Sequence, residues 1–147
     1  MITYKDIKLA VNEKLISDFD YEIQSTDIKE GFKRPSFFVE FDNMNHSSTL
    51  TQVQRSLTIT IYFFPSDRTS YSLEILDVQE RLENLFDLKL SVLDRKFNVP
   101  ETNSEVTDGV LIFSFDIQYE EGKVVPDVDT LGNPIELMQE LDVKRVN

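Results

Sequence analysis

Few side chains in this sequence could carry out catalysis. There is one histidine, His46, and no cysteine among the 147 residues. A Cys-His nucleophile is therefore excluded, and a Ser-His-Asp triad would depend entirely on His46. This histidine lies in DNMNHSS, a segment of turn-forming residues, without cysteine or carboxylate companions at ligand spacing. We expect it to be a solvated turn residue rather than a metal ligand.

Neighbouring carboxylates are the next candidates, because oxygen ligands suit Ca²⁺. Three pairs lie close in sequence: Asp18 with Asp20, Glu120 with Glu121, and Asp127 with Asp129. None is framed by a twelve-residue calcium loop with glycine at its sixth position and glutamate at its end, and the four glycines are too scattered for a phosphate-binding loop. We therefore predict that the protein is not an enzyme and has no catalytic, cofactor or metal site.

The chain has one locally basic stretch, residues 26–36, TDIKEGFKRPS. Here Lys29, Lys33 and Arg34 surround Phe32, between a turn-forming glycine and a proline. Two interpretations remain open: a solvated loop, or a docking loop for an acidic neighbour with Phe32 as its anchor.

The run TLTQVQRSLTITIYFF, residues 49–64, is the central element of the pattern. Its apolar residues alternate with polar ones, which predicts a strand with one buried face that ends at Pro65. About 15 residues at roughly 3.3 Å each would span nearly 50 Å, which is long for a strand. Either the strand bends near Arg55 and Ser56, or its first half projects as one arm of a hairpin.

Two helices are predicted beside it, at residues 4–17 and 70–86. Thr3 and Asp6 form a capping-box variant for the first helix, and Ser70 or Ser72 would cap the second. The predicted core-facing residues of the second helix are Leu73, Leu76, Leu82, Leu85 and Phe86.

Further strands are predicted at residues 21–25, 37–42, 88–93, 96–99 and 110–119, with residues 42–48 as a hairpin connection and 101–109 as a polar break. The predicted fold is α+β: a mostly antiparallel sheet with two amphipathic helices packed on one face. This domain covers residues 1–122.

Residues 123–147 are predicted to form an extended acidic arm. Residues 101–147 hold 11 acids against 3 bases, a net charge of −8, which leaves −4 of the total −12 for residues 1–100. The arm ends in a short amphipathic cluster too small to be a stable helix alone, formed by Ile135, Leu137, Met138 and Leu141. It should dock either on its own domain or on a neighbour.

Charge and hydropathy exclude several classes of partner. A pI near 4.4 argues against specific nucleic-acid binding, which depends on clustered Lys and Arg. The N-terminus is too polar for a signal peptide, and no apolar run reaches the roughly 20 residues that span a bilayer. We expect a soluble protein made in a cytoplasm, with no membrane partner.

In DIKEGFKRPSFFVEF, TITIYF, LEILDVQERLENLF and IELMQEL, the sequence resembles tail completion or tail terminator proteins of phages and prophages of Gram-positive bacteria. It looks closest to those of contractile tails, including phage-tail-like bacteriocins. The resemblance implies an α+β structural protein that forms a ring, typically of six subunits, on the head-proximal end of the tail tube. Its implied partners are itself, the tube protein, and the sheath or head connector. Assembly would take place in the host cytoplasm, and the ring would become part of the virion.

Two alternatives remain open at this point. Within the same setting, the chain could be a neck or head-tail connector protein. A small binding domain or enzyme is the alternative from a different class, and a pocket with convergent polar groups would favour it.

Overall fold

The elements alternate between helices and strands along the part of the chain that the structure, a computed structural model, describes: residues 1–24, 33–67 and 69–123. Their bounds are α1 Tyr4–Asp18, β1 Glu22–Gln24, β2 Ser36–Ser48, β3 Gln52–Phe64, α2 Ser72–Leu85, β4 Leu88–Val92, β5 Arg95–Val99, β6 Thr102–Thr107 and β7 Val110–Gly122. The fold is α+β with a mainly antiparallel sheet and two helices, which confirms the predicted fold class.

Helix α1 begins as predicted. The Thr3 hydroxyl accepts a hydrogen bond from the Asp6 backbone N–H at 3.0 Å, and the Asp6 carboxylate accepts one from the Thr3 N–H at 3.0 Å. This capping box satisfies two of the backbone donors that a helix start leaves free. The helix buries Ile7, Val11 and Leu15, which recur at helical spacing.

Helix α2 differs from its prediction at its start. Its N-cap is Tyr71, which makes no side-chain capping bond, so the predicted serine cap is wrong. The helix still forms because the burial of one apolar face, rather than a cap, is the main source of helix stability in a folded protein.

The buried face of α2 was also misassigned. The buried residues are Ile75, Val78, Leu82 and Phe86, whereas Leu73 and Leu76 are 81% and 60% exposed. The predicted core positions Leu73 and Leu76 are therefore wrong, Leu85 is half-buried against the core, and Leu82 and Phe86 are confirmed.

Five strands form one sheet in the order β1-β2-β3-β7-β6. Strand β1 runs parallel to β2, with Glu22 opposite Ser36, and β6 runs antiparallel to β7. Strands β2 and β3 are neighbours joined by residues 49–51 alone, which is too short for a parallel crossover, so they form an antiparallel hairpin.

Two polar segments that were predicted as connections are strands. Residues 42–48 continue β2, so His46 lies in a strand and is exposed rather than sitting in the turn. Most of the predicted break at residues 101–109 is β6, an edge strand whose backbone pairs with β7 from Thr102 to Thr107. Backbone pairing with a long apolar neighbour explains how such a polar strand forms.

Strands β4 and β5 lie where two short strands were predicted. They pair with each other as a separate antiparallel hairpin that packs beside α1. One core joins this hairpin, both helices and one face of the five-stranded sheet. Aromatic rings pack against each other in this core. The ring centroids of Phe19 and Phe37 in β2 lie 5.0 Å apart, and those of Phe86 and Phe115 in β7 also lie 5.0 Å apart. The alternate residues of β7 are all buried, as predicted: Leu111, Phe113, Phe115, Ile117 and Tyr119.

The two helices are also linked by cations. The Arg81 guanidinium lies 4.1 Å from the Phe19 ring centroid and 3.4 Å from the Asp18 carboxylate, and it donates a hydrogen bond to the Asp18 carbonyl. In return, the Lys14 ammonium donates to the carbonyl of Leu85 at 3.1 Å, at the C-terminal end of α2 where a helix favours positive charge. These pairings hold the C-terminal ends of α1 and α2 together.

The chain divides into two units, Met1–Asn45 with Ser56–Tyr119, and His46–Arg55 with Glu120 onward. The division of β3 falls between Arg55 and Ser56. Within the second unit, the amide of Lys123 donates to the carbonyl of Thr51 at 2.8 Å, and Arg55 lies 3.9 Å from Glu121 in a mostly buried ion pair.

Candidate interaction surfaces

The predicted docking loop is described only at its C-terminal end. Lys33 is exposed, with its ammonium 3.6 Å from the Glu22 carboxylate. Arg34 is half-buried and donates to the carbonyl of Pro65 at 3.2 Å, with its guanidinium 5.8 Å from the Phe64 ring. Arg34 therefore holds the chain together locally, whereas Lys33 is accessible. Lys29 and Phe32 lie outside the described residues.

The predicted amphipathic cluster of the C-terminal arm also lies outside the described residues: Ile135, Leu137, Met138 and Leu141. Its role as an interface stays a prediction, as does the domain boundary at residue 122.

The sheet face opposite the core carries a groove of about 350 Å³ that sequence reasoning did not identify. Its apolar lining includes Phe38 and Tyr62, whose rings lie 5.9 Å apart, and Ile112 from β7. These residues occupy the positions between the buried ones on their strands. The signal was present in the sequence, because the second face of these strands includes aromatic and aliphatic residues as well as polar ones.

The Tyr62 hydroxyl in this groove is a weaker acid than an ordinary tyrosine. The Tyr62 hydroxyl donates to the Glu40 carboxylate at 2.9 Å. Desolvation, followed by that bond and the nearby negative charge, raises the pKa of Tyr62 to about 12. Tyr62 is therefore a neutral hydrogen-bond donor under ordinary conditions, and its bond fixes the position of Glu40 at the groove.

Farther along the same face, a polar row crosses three strands. The Asn43 amide donates to the Thr58 hydroxyl at 3.1 Å, and that hydroxyl donates to the Asp116 carboxylate at 2.6 Å. Asn43 has a φ of 51°, a left-handed conformation that asparagine tolerates better than most residues. The sheet face opposite the core thus carries both an apolar groove and a row of hydrogen-bonded polar side chains.

The outward face of α2 presents Leu73 and Leu76 one turn apart, and sequence reasoning had placed both in the core. The sequence contains a difference between the two apolar stripes of this helix that could have identified the buried one. The stripe that begins at Ile75 stays apolar to the end of the helix, whereas the stripe that begins at Leu73 continues into Glu80 and Glu83.

Within the described ranges, no three His, Asp or Glu side chains come together as a metal site, and no helix has both the length and the apolar character needed to cross a membrane. His46 is exposed on β2. The described surface of this α+β protein offers an apolar groove, exposed leucines and accessible charges, features that suit contacts with other molecules.

The sequence matches the family described as phage tail terminator protein over residues 6–129, which is most of the chain. The chain therefore belongs to the phage tail terminator family, and its role is structural, in the assembly of a phage tail. No curated protein matches it significantly.

Proposed function

We propose that the protein forms a ring, of six subunits as is typical for such proteins, on the head-proximal end of the tail tube. The ring stops polymerisation of the tube and offers a surface to the sheath or head connector of a contractile tail or phage-tail-like bacteriocin. The observation that carries this proposal is membership of the tail terminator family across residues 6–129. The subunits assemble in the host cytoplasm before they become part of the particle.

A ring requires two different patches on each subunit, because a head-to-tail contact repeats around the ring until it closes. We propose that one patch is the basic loop, Lys29, Phe32, Lys33 and Arg34, and that the acidic C-terminal arm contributes the other. The accessible ammonium of Lys33 supports this role, since its pairing with Glu22 is exposed and weak.

The ring is tested by light scattering across a concentration series of the full chain, alone and with polymerising tube protein. A ring of six 17.1 kDa chains has a mass of about 103 kDa. With tube protein present, we expect shorter tubes that carry the protein at one end. A chain that stays monomeric at every concentration and leaves tube length unchanged would contradict the proposal.

The basic patch is tested by the double charge reversal Lys29→Glu with Lys33→Glu. Arg34 is left intact because its bond to Pro65 makes it part of the fold. The matched control is Lys89→Glu with Lys96→Glu, which changes the same net charge on exposed residues of the β4–β5 hairpin. Loss of the ring in the first variant alone supports the patch, and equal behaviour of the two variants contradicts it.

A further inference from the structure

Helix α1 has a second, outward stripe besides the one that it buries. Its members lie at helical spacing and share one side of the helix: Lys5, Lys8, Leu9, Asn12 and Ile16. Leu9 and Ile16 are 53% and 64% exposed. The stripe contains two lysines and no acid, on a chain whose net charge is −12. We call it the α1 stripe.

Two grooves flank the α1 stripe. One, of about 380 Å³, lies between the helix and Phe41 of β2, and the other, of about 440 Å³, lies between the helix and the β1 region from Tyr21 to Gln24. Lys8 and Asn12 line both grooves, so the two form one continuous surface along the helix. The acid in the second groove is Glu22, which is exposed and lies 3.6 Å from Lys33, a lysine outside the stripe.

The strand edge next to this surface is open. Strand β1 pairs only with Ser36–Phe38, so β2 from Val39 onward has no strand on that side within the described ranges. An open strand edge of this kind accepts an added strand.

The chain itself contains a segment with matching chemistry. Residues 127–142 hold five acids and no lysine or arginine, together with the apolar residues Ile135, Leu137, Met138 and Leu141. The α1 stripe spans about 17 Å from Lys5 to Ile16 at roughly 1.5 Å per residue. Sixteen residues are long enough to lie along it in either an extended or a partly helical form.

We propose that the α1 stripe is the docking site for the acidic segment 127–142 of a second copy of this chain. The acids face Lys5 and Lys8, and the apolar residues cover Leu9 and Ile16. This contact joins two different surfaces of the same protein, which is what a head-to-tail assembly requires. It rests on the proposed self-association, and it adds the α1 stripe to the basic loop as a surface that receives the acidic arm.

Cross-linking provides the direct test, because the chain has no cysteine of its own. Two full-length chains with different tags, one carrying Leu9→Cys and the other Leu137→Cys, are co-expressed and oxidised. We expect a disulfide-linked heterodimer. The matched control replaces Leu9→Cys by Leu73→Cys, which is more exposed but lies on α2. Cross-linking at position 9 that does not exceed the control would overturn the proposal.

Two double variants identify other occupants of the site. A chain carrying both Leu9→Cys and Leu137→Cys that forms only an internal link would show that the segment docks on its own domain, which overturns the assignment to a second copy. Preferential linkage within one chain that carries both Leu9→Cys and Phe32→Cys would assign the groove to the basic loop of the same chain and would also overturn the proposal.

Binding measurements test the chemistry of the contact. Lys5→Glu with Lys8→Glu should weaken self-association by about tenfold or more at low salt, since charge reversal at an interface rim replaces attraction by repulsion. Lys89→Glu with Lys96→Glu again serves as the control. An unchanged mass distribution in the first variant would contradict the proposal. These results are distinguishable from failure of the ring itself, because light scattering reports the ring in the unmodified protein, whereas the variants report only where the contact lies.

Discussion

Truncating three leucines of α2 one at a time tests which face of this helix is buried. Leu82 is fully buried, Leu76 is 60% exposed and Leu73 is 81% exposed. The substitution is leucine to alanine in every case, so side-chain chemistry and helix propensity change equally, and the differences report burial alone. We predict that Leu82→Ala lowers the free energy of unfolding far more than Leu76→Ala or Leu73→Ala does.

The magnitudes follow from the exposed fractions. Leu82→Ala leaves a cavity in the buried core and should cost about 2–5 kcal/mol. Complete burial of a leucine is worth about 1.5–3 kcal/mol, so Leu76 with 40% of its surface covered should cost about 0.6–1.2 kcal/mol, and Leu73 with 19% covered about 0.3–0.6 kcal/mol. No cavity forms at either exposed site.

Urea unfolding followed by circular dichroism measures these costs. With an m-value of about 2 kcal/mol per molar, the midpoint should fall by about 1–2.5 M for Leu82→Ala and by about 0.3–0.6 M for Leu76→Ala, with m unchanged. Each variant is measured at two protein concentrations tenfold apart, since a leucine covered by another subunit would give a concentration-dependent cost. A loss for Leu76→Ala that equals that of Leu82→Ala and does not depend on concentration would refute the assignment of the buried face.

Three further predictions concern hydrogen bonds and charges. Tyr62→Phe should remove the last step of the tyrosinate absorbance titration: the pKa of Tyr62 is raised, so its stabilisation is complete below about pH 10, where an unfolded tyrosine titrates, and is lost as pH rises through about 12. Persistence of that step in the variant would assign it to another tyrosine and contradict the raised pKa of Tyr62. Thr3→Ala should cost about 1 kcal/mol and raise the pKa of Asp6, which the Thr3 hydrogen bonds hold below its ordinary value. The contribution of Asp6 is present above its unfolded pKa and is lost as pH falls through the lowered one, so the difference in stability should narrow in acid. The cost of losing the Thr3 hydroxyl as an acceptor for the Asp6 N–H does not titrate and should remain, and thermal unfolding at several pH values measures both parts. Arg81→Ala should cost about 1–2 kcal/mol, and most of that cost should remain in 1 M salt, because salt screens ion pairs but not the contact with the Phe19 ring. A cost that disappears in salt would assign it to the ion pairs alone.

The sequence predicted much of the fold because its strongest signals are local. Alternation in residues 53–63 and 111–119 identified the buried faces of β3 and β7, and a period of two leaves only two ways to place each strand. The capping box at Thr3 and Asp6 was also readable, since both of its bonds join residues three positions apart. Similar stretches across the chain identified the family.

The polar strands were not predictable in this way. Strand β6, TNSEVT, contains one large apolar residue and would not form alone, and it exists because β7 supplies a full row of backbone partners. The same holds for residues 42–48, which belong to β2 because the neighbouring strand β3 supplies backbone hydrogen-bond partners. Backbone hydrogen bonds between strands do not depend on side-chain type, so the sequence of the polar strand records little of them.

The interaction surfaces also have some properties that the sequence determines and others that depend on the tertiary structure. The sequence by itself determined which residues are charged or apolar: the basic cluster near Lys33, the acidic arm, and the two apolar stripes of α2. Only the tertiary structure decided which stripe of α2 is buried, that Arg34 bonds to Pro65 across 31 positions, and that Phe38, Tyr62 and Ile112 share one groove. Burial is a property of the neighbours that a residue acquires, and those neighbours come from distant parts of the chain once the helices and sheet have packed.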